Sequence, residues 1–345
     1  MGKTVVFAVA GSGKTTLIIS KLDLKKRVLL ITYTENNYRH LHSSIIARFS
    51  YFPSHITLMT YFEFLHSFCY RPFLQIQLDT RGMNFSQPPN FTNRFARSDL
   101  RHYCDQGKRL YHNRLAKLLD HWGVVPYILA RIEKYYDALY VDEVQDFAGN
   151  DFNLLKTLCR VSVDILFVGD FFQHTFDTSR DGPVNRSLHE DIKRYEKQFS
   201  SAGLHIDRTT LSQTWRCSRT TCEFITRELN ISIQDHSGRT STIKLVETQA
   251  EADALHADEV KIKLFYQSHT LYGCLSQNWG ASKGLDHYQD ICIILSPMHW
   301  KLLTAGKLET MKPGTRNKLY VACSRARGDI YFIPENLFKR FKIKQ

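Results

Sequence analysis

The chain has 345 residues, of which 43% are hydrophobic, and this size suits two medium-sized domains with packed cores. Its formal net charge of +12 favours polyanionic partners if the charges are clustered. The eight cysteines form no Cys-x-x-Cys pair and the fifteen histidines no His-Glu-x-x-His pair, which indicates free thiols and no cysteine–histidine metal site. No apolar run reaches membrane-spanning length and no signal peptide precedes the first predicted strand, so we expect a soluble, cytoplasmic protein without a membrane partner.

A phosphate-binding pattern ends the first predicted strand, Thr4–Val9. Its sequence is AVAGSGKTT, and a helix is predicted to follow over Lys14–Lys21. Glycines let the backbone curl so that its N–H groups face an anion at the positive end of that helix. A chance glycine-rich turn is the alternative, and the flanking strand and helix argue against it. The predicted nucleotide-binding residues are Ala10, Gly11, Ser12, Gly13, Lys14, Thr15 and Thr16, with Lys14 on the β- and γ-phosphates and the Thr15 hydroxyl on Mg²⁺.

A βα rhythm continues with a second predicted strand, Arg27–Tyr33, and indicates a parallel sheet with crossover helices over residues 1–60. Residues 61–135 lose this rhythm and predict a small helical insertion. Within it, a basic helical stretch is predicted from Ser98 to Leu119, and two interpretations of it stay open. It either tracks a phosphate backbone and stacks bases, or it is a solvated helix face. The residues concerned are Arg94, Arg97, Arg101, Lys108, Arg109, Arg114 and Lys117, with Phe95, Tyr103 and Tyr111 among them.

Two acidic residues follow the next predicted strand, Asp137–Val141. A carboxylate at the carboxyl end of such a strand points to the crevice where α/β sheets bind ligands. Asp142 can therefore hold Mg²⁺, and Glu143 can orient and deprotonate a water molecule that attacks the γ-phosphate. An ordinary acidic loop is the alternative. The strand Val163–Val168 argues against it, because that strand also ends in a polar turn, Gly169–Gln173.

The second half of the chain predicts a second domain. A polar helical segment, Leu188–Gln198, ends near a small-residue linker at 200–203. We therefore expect a first domain over 1–203, with the insertion at 61–135, and a second over 204–345. The strands predicted in the second domain are Thr242–Val246, Asp290–Leu295, Lys318–Val321 and Ile330–Ile333.

Seven segments resemble, in the right order, the motifs of superfamily 1 helicases of the UvrD/Rep/PcrA type. They are AVAGSGKTT, LLITYT, VDEVQDF, VGDFFQ, LSQTWRCS, ASKGLD and LYVACSRAR, and they span residues 8–327. The resemblance implies an α/β fold of two RecA-like P-loop domains with parallel sheets and a reduced helical insertion in the first. It implies ATP and Mg²⁺ as cofactors and hydrolysis in the cleft between the domains. Single-stranded or partly duplex DNA is the implied partner, with 3′→5′ polarity.

The resemblance also assigns roles to single residues. Gln173 matches the residue that senses the γ-phosphate. Arg216 and Arg325 match two arginine fingers, and a guanidinium that arrives when domains close stabilises the charge built up in phosphoryl transfer. Trp215 stands where relatives stack a tyrosine on adenine, and Asp286 stands where a glutamate contacts the ribose.

The residues that grip the DNA strand match the family less well than those of nucleotide chemistry. Tyr33 does occupy an aromatic position that contacts single-stranded DNA in relatives. Gly280 replaces a usual histidine, however, and Thr178 replaces a base-stacking tryptophan. No segment upstream of the first strand holds an adenine-reading glutamine, which leaves the preference for ATP open.

Only residues 219–280 separate LSQTWRCS from ASKGLD, which leaves no room for the large second-domain insertion of full-size relatives. A compact ATP-dependent single-stranded DNA translocase or helicase is the leading interpretation. The alternative is a nucleic-acid- or partner-gated ATPase subunit of a nuclease or defence complex, without processive unwinding. A third class is an RNA-directed motor or a catalytically weak binding module.

Overall fold

The structure, a computed structural model, describes residues 2–175, 181–285 and 287–343, and it divides the chain into two compact units. The first unit comprises Met1–Val6, Lys14–Gly169 and Asp177–Asp207, and the second comprises Phe7–Gly13, Asp170–Phe176 and Arg208–Gln345. Each unit contains a sheet with parallel strand pairs, so the predicted α/β fold is confirmed. The predicted division at residue 203, with an insertion over 61–135, stays a prediction. Within the described ranges, no helix is long and apolar enough to cross a membrane.

The larger sheet has six strands in the order β3-β2-β6-β7-β1-β8, and its pairs β2–β3, β2–β6, β6–β7 and β1–β8 are parallel. A separate pair joins β4 to β5. The strands up to this point of the chain are β1 Lys3–Phe7, β2 Val28–Thr32, β3 Ile56–Thr60, β4 Met83–Asn84, β5 Leu110–Tyr111, β6 Ala138–Asp142, β7 Asp164–Gly169 and β8 His205–Asp207.

The central strands of this sheet are buried on both faces. Every residue of β2 and of β6 is buried, which agrees with their unbroken apolar sequences and with a sheet covered on two sides. The helices of the first unit are α1 Lys14–Lys21, α2 Glu35–Phe49, α3 Tyr61–Glu63, α4 Arg71–Leu78, α5 Leu115–His121, α6 Val125–Tyr135, α7 Gly149–Leu158 and α8 Ile192–Ser201, with a π-helix over Phe64–Tyr70.

The helix predicted from Ser98 to Leu119 is wrong. The structure has short 3₁₀ turns at Leu100–His102 and His112–Arg114 around β5, and only the last part is helical, in α5. A tight turn breaks the segment: the Asp105 carboxylate accepts a hydrogen bond from Arg109 N–H at 2.9 Å, and Lys108 adopts a left-handed φ of 59°. A short polar side chain that bonds the following backbone favours such turns over helix.

The second unit is built on a five-stranded parallel sheet in the order β11-β15-β14-β12-β13, with a separate β9–β10 pair. Its strands are β9 Gln213–Thr214, β10 Gln234–Asp235, β11 Ile243–Leu245, β12 Ile262–Phe265, β13 Ser276–Asn278, β14 Ile291–Leu295 and β15 Ile330–Pro334. Its helices are α9 Arg219–Leu229, α10 Gln249–Ala257, α11 Pro297–Thr304, α12 Pro313–Cys323 and α13 Glu335–Phe338.

The strand predicted over Lys318–Val321 is also wrong, because these residues form part of α12. Pro313 lies at the start of this helix, where the missing N–H costs nothing. Leu319 to Cys323 are five consecutive buried residues, so this end of the helix is apolar on all sides. A short apolar run of that kind does not distinguish a buried helix from a buried strand by periodicity alone.

Candidate functional site

The phosphate-binding loop requires glycine for two reasons. Gly11 and Gly13 adopt φ of 71° and 89°, the left-handed region that side chains rarely enter. A Cβ on Gly11 would also lie 2.7 Å from the Cβ of Arg216, and Gly11 O accepts a hydrogen bond from Trp215 N–H at 2.9 Å. The loop therefore packs against the LSQTWRCS segment within the second unit.

Two polar features of this loop fit a bound phosphate. The Ser12 hydroxyl is buried and has no hydrogen-bond partner among the described residues, although buried polar atoms are normally paired. Helix α1 begins at Lys14, as predicted, and its N-terminal N–H groups can bind an anion. Lys14 and Thr15 are half-buried and Thr16 is exposed. Within the second unit, the glycine cradle and the unpaired hydroxyl suit a nucleotide phosphate.

The two predicted carboxylates occupy the end of β6. Asp142 and Glu143 are both buried, and Glu143 adopts a left-handed φ of 56°, which is strained for a residue with a side chain. Glu143 Oε2 lies 3.8 Å from Lys14 Nζ and accepts a hydrogen bond from Gln145 Nε2. The structure thus brings the predicted base and the phosphate-loop lysine together within the first unit.

Gly169, at the end of the neighbouring strand β7, is a sterically constrained position beside the predicted base, and sequence reasoning missed it. A Cβ there would lie 2.7 Å from Val144 Cγ2 and would also collide with the Gln145 side chain. Only glycine lets β7 pass this close to the turn that holds Glu143. The sequence drew attention only to the polar side chains of the turn, such as Asp170. The need for glycine at position 169 depends on a close contact with Val144 and Gln145, which the sequence does not indicate.

Oxygen donors for Mg²⁺ are available on Thr15 and Asp142. A hydroxyl and a carboxylate are the hard ligands that Mg²⁺ prefers, with water completing the shell. No group of three or more His, Cys, Asp or Glu residues that could hold a metal ion is found in the described parts of the chain. All eight cysteines, which lie within those parts, are free.

The two predicted arginine fingers meet at one residue of the second unit. Arg216 donates to the carbonyl oxygen of Ser324 at 3.1 Å, and Arg325 Nη2 lies 3.5 Å from the Ser324 hydroxyl. Arg325 Nε also donates to Val321 O at 3.1 Å. Both side chains are buried. Because both contact Ser324, their two positive charges lie close together.

Gln173 belongs to a buried hydrogen-bonded turn. Its Nε2 donates to Asp170 Oδ2 at 3.0 Å, and Tyr320 donates its hydroxyl to the same oxygen at 2.9 Å. Burial, and next the nearby carboxylate of Asp170, raise the pKa of Tyr320 well above its usual value, so its hydroxyl stays protonated. The sequence analysis assigned no role to Asp170 or Tyr320, although Asp170 lies in the VGDFFQ motif and Tyr320 in the LYVACSRAR motif.

Trp215 presents an open aromatic surface. It is 60% exposed, and its ring lies beside that of His236, with 3.3 Å between centroids. Arg239 Nη2 donates to the Trp215 carbonyl oxygen at 3.1 Å. An exposed indole of this kind can stack on a nucleotide base. Asp286, the predicted ribose contact, lies outside the described residues, as does Thr178.

Tyr33 lines an open groove of about 740 Å³ in the first unit, but little of its ring is accessible. It is 7% exposed and stacks on Tyr61, with 5.6 Å between centroids. The accessible aromatic wall consists instead of Phe62 and Phe85, whose centroids are 5.4 Å apart. Phe85 is 61% exposed, and sequence reasoning missed it because it falls in an irregular part of the insertion.

In the basic stretch, five of the seven cations are exposed, as a solvated face predicts, while contact with a phosphate backbone stays a prediction; the five are Arg94, Arg97, Arg101, Lys108 and Arg109. Arg114 is buried and bonded to Asp181 at 3.1 Å, and Lys117 pairs with the same carboxylate at 3.3 Å. Tyr103 and Tyr111 are buried as well. Three more cations pair with nearby aspartates: Arg101 with Asp99, Lys108 with Asp79 and Arg109 with Asp105. These ion pairs connect residues within 79–117 to one another and to Asp181.

No protein-family model matches the chain, and no curated protein matches it. Among solved structures, it is similar to arterivirus nonstructural protein 10, a helicase in complex with DNA, with a TM-score of 0.51 and 14% identity over 97% of this chain and 63% of that one. It is also similar to the PRRSV helicase, with a TM-score of 0.49 and 12% identity over 99% of this chain and 54% of that one. The chain thus spans less than two thirds of these helicases. The similarity to the arterivirus protein shows that the two chains share a fold.

Proposed function

We propose that the chain is an ATP-dependent translocase or helicase of the UvrD type that acts on single-stranded DNA with 3′→5′ polarity. One observation carries the proposal: Lys14 of the phosphate loop lies 3.8 Å from Glu143, which is held in a strained conformation at the end of β6. Backbone strain of this kind is found more often at active sites than elsewhere, which supports the assignment. The direction of movement rests on the resemblance of the motifs alone.

In this proposal the loop amides and the positive end of α1 bind the phosphates of ATP. Lys14 would turn from Glu143 to the β- and γ-phosphates. Thr15 and Asp142 would hold Mg²⁺, which would supply positive charge near the transferred phosphoryl group. Glu143 then accepts a proton from the attacking water at its carboxylate. Glu143 is buried, which limits the access of bulk solvent to its carboxylate.

The second unit supplies the remaining nucleotide contacts. The Arg216 and Arg325 guanidinium groups stabilise negative charge that develops on the phosphate oxygens. Gln173 senses the γ-phosphate, Trp215 stacks on the adenine and Asp286 contacts the ribose, as the resemblance implies. The 60% exposure of Trp215 supports its part in this assignment.

We assign strand binding to the aromatic groove of the first unit. Single-stranded nucleic acids bind where aromatic rings stack on successive bases, and Phe85 and Phe62 offer such rings. The similar arterivirus helicase was solved with DNA, which makes DNA the first partner to test.

Replacing Phe85 by alanine is expected to weaken single-stranded DNA binding by about 1–3 kcal/mol, because one stacked base loses its partner. Tyr33→Ala is also expected to weaken binding, indirectly, because the buried Tyr33 ring supports Phe62. Fluorescence anisotropy with a labelled oligonucleotide measures both. Phe91→Ala is the matched control, because Phe91 is exposed but does not line the groove. Unchanged affinity in both groove variants would remove strand binding from this surface.

A partner-gated ATPase subunit of a nuclease or defence complex is the second candidate. The pairing of Arg101, Lys108, Arg109, Arg114 and Lys117 with aspartates favours it, because these cations were the best sequence-level candidates for a DNA contact. Such an ATPase would hydrolyse ATP without any response to nucleic acid.

Steady-state ATP hydrolysis tests the proposed function, with Lys14→Ala as the blank. We expect the wild-type protein to hydrolyse ATP and the variant to show only background. The variant lacks the positively charged lysine side chain that would contact the β- and γ-phosphates. Equal rates in the two proteins would show that the observed hydrolysis does not take place at the predicted phosphate loop.

A further inference from the structure

One buried hydroxyl connects two separate segments of the second unit. Tyr320 lies on α12 and is completely buried. Its hydroxyl accepts a hydrogen bond from Ala10 N–H at 2.8 Å and donates one to Asp170 Oδ2 at 2.9 Å. A backbone N–H can only donate, so a lone pair of the hydroxyl points to Ala10 and the hydroxyl proton points to Asp170. The phosphate loop and the Asp170 turn are thus joined through a single oxygen atom.

The same carboxylate orders the turn that carries Gln173. Asp170 Oδ1 accepts from Phe172 N–H at 3.1 Å, and Asp170 Oδ2 accepts from Gln173 Nε2 at 3.0 Å. The Gln173 amide and the Tyr320 hydroxyl therefore share one acceptor oxygen. Any rotation of the Asp170 side chain changes both contacts at once.

Helix α12 is fastened to this turn at two further points. Asn317 Nδ2 donates to His174 O at 3.2 Å, and the Arg316 guanidinium lies 5.9 Å from the centre of the Phe172 ring. Residues three and four apart on a helix share one face, which places Tyr320 beside these two contacts. The helix ends at Cys323, two residues before Arg325. It therefore links the Gln173 turn to the predicted arginine finger.

We propose that Tyr320 is a positioning residue for ATP turnover, which holds the phosphate loop and Gln173 in one arrangement. The inference rests on the proposed function, and it adds a residue to which no motif role was assigned. Breaking either hydrogen bond of the hydroxyl would leave a buried polar group unpaired, which is costly. The loop, the turn and α12 therefore change position together rather than one at a time.

The variant Tyr320→Phe tests this role, because it keeps the buried ring and removes only the hydroxyl. We expect kcat for ATP to fall about tenfold, the effect of losing a hydrogen bond to a charged group, while KM stays within about twofold. Tyr272→Phe is the matched control: Tyr272 is buried in the same unit and donates its hydroxyl to Glu335 at 3.3 Å, but it lies in a different hydrophobic cluster. We expect this control to keep the wild-type kcat.

Combining Tyr320→Phe with Gln173→Ala separates positioning from general destabilisation. If the hydroxyl acts through Gln173, the double variant loses little more kcat than Gln173→Ala alone. Additive losses, or a kcat for Tyr320→Phe equal to that of Tyr272→Phe, would overturn the inference. If Tyr320→Phe does not fold, Asp170→Asn makes the same test, since it keeps the shape and weakens the shared acceptor. Absent wild-type turnover would instead contradict the proposed function itself.

Discussion

Replacing Glu143 by glutamine is expected to lower ATP turnover by about 100- to 10,000-fold while nucleotide binding persists, because the variant removes only the general base. Glutamine has nearly the same shape as glutamate, so the packing around the end of β6 is preserved. The contact with Lys14 loses its charge, which leaves that lysine available for phosphate. Single-turnover hydrolysis and binding of a fluorescent ATP analogue measure the two effects separately.

Glu133→Gln is the matched control for this variant. Glu133 lies on α6 of the same unit, is exposed, and accepts a hydrogen bond from Ser162 N–H at 2.7 Å. It makes the same chemical change next to the amino end of β7 rather than at the carboxyl end of β6, and we expect wild-type turnover. Near-normal turnover in Glu143→Gln would remove the base assignment, whatever the behaviour of the control.

Replacing Arg325 by alanine is expected to slow hydrolysis by about 1,000-fold and to weaken ATP binding much less. An arginine finger acts on charge that exists mainly in the transition state, so its loss lowers kcat more than it raises KM. Arg325→Lys keeps a positive charge without the planar fork and should recover only part of the rate. Steady-state kinetics at saturating nucleic acid separate kcat from KM.

Arg325 is 1% exposed and donates to Val321 O, so its variants require a check on folding. Thermal unfolding of each variant provides it. Arg227→Ala is the matched control, because Arg227 is an exposed arginine of the same unit that pairs with Glu228. An unchanged kcat with a raised KM in Arg325→Ala would assign this residue to ground-state binding instead.

The α/β fold and the helix that follows the glycine loop could be predicted because their signals are local. Helix α1 begins at Lys14 and ends at Lys21 as predicted, since the glycine loop and the change of pattern mark both ends. The buried strands β2, β6, β7, β14 and β15 differ from their predicted bounds by one residue at each end at most. Unbroken apolar sequences bounded by polar turns leave little choice in a parallel sheet.

Two of the parts that were missed depend on contacts distant in sequence, and a third depends on a local turn. Tyr320 bonds Ala10 across 310 residues, and no pattern around either residue indicates that pairing. Burial of Tyr33 follows from its contacts with Tyr61 and Phe147. The broken helix after Ser98 reflects turn chemistry at Asp105, which outweighs the helical composition of its neighbours.

The central claim, that this chain couples ATP hydrolysis to nucleic acid, is tested most directly by its steady-state ATPase rate. The rate is measured alone and with single-stranded DNA, single-stranded RNA and duplex DNA, and Lys14→Ala serves as the blank. We expect strong stimulation by single-stranded DNA that is absent from the blank. A real basal rate that no nucleic acid changes would contradict the motor and indicate the partner-gated ATPase.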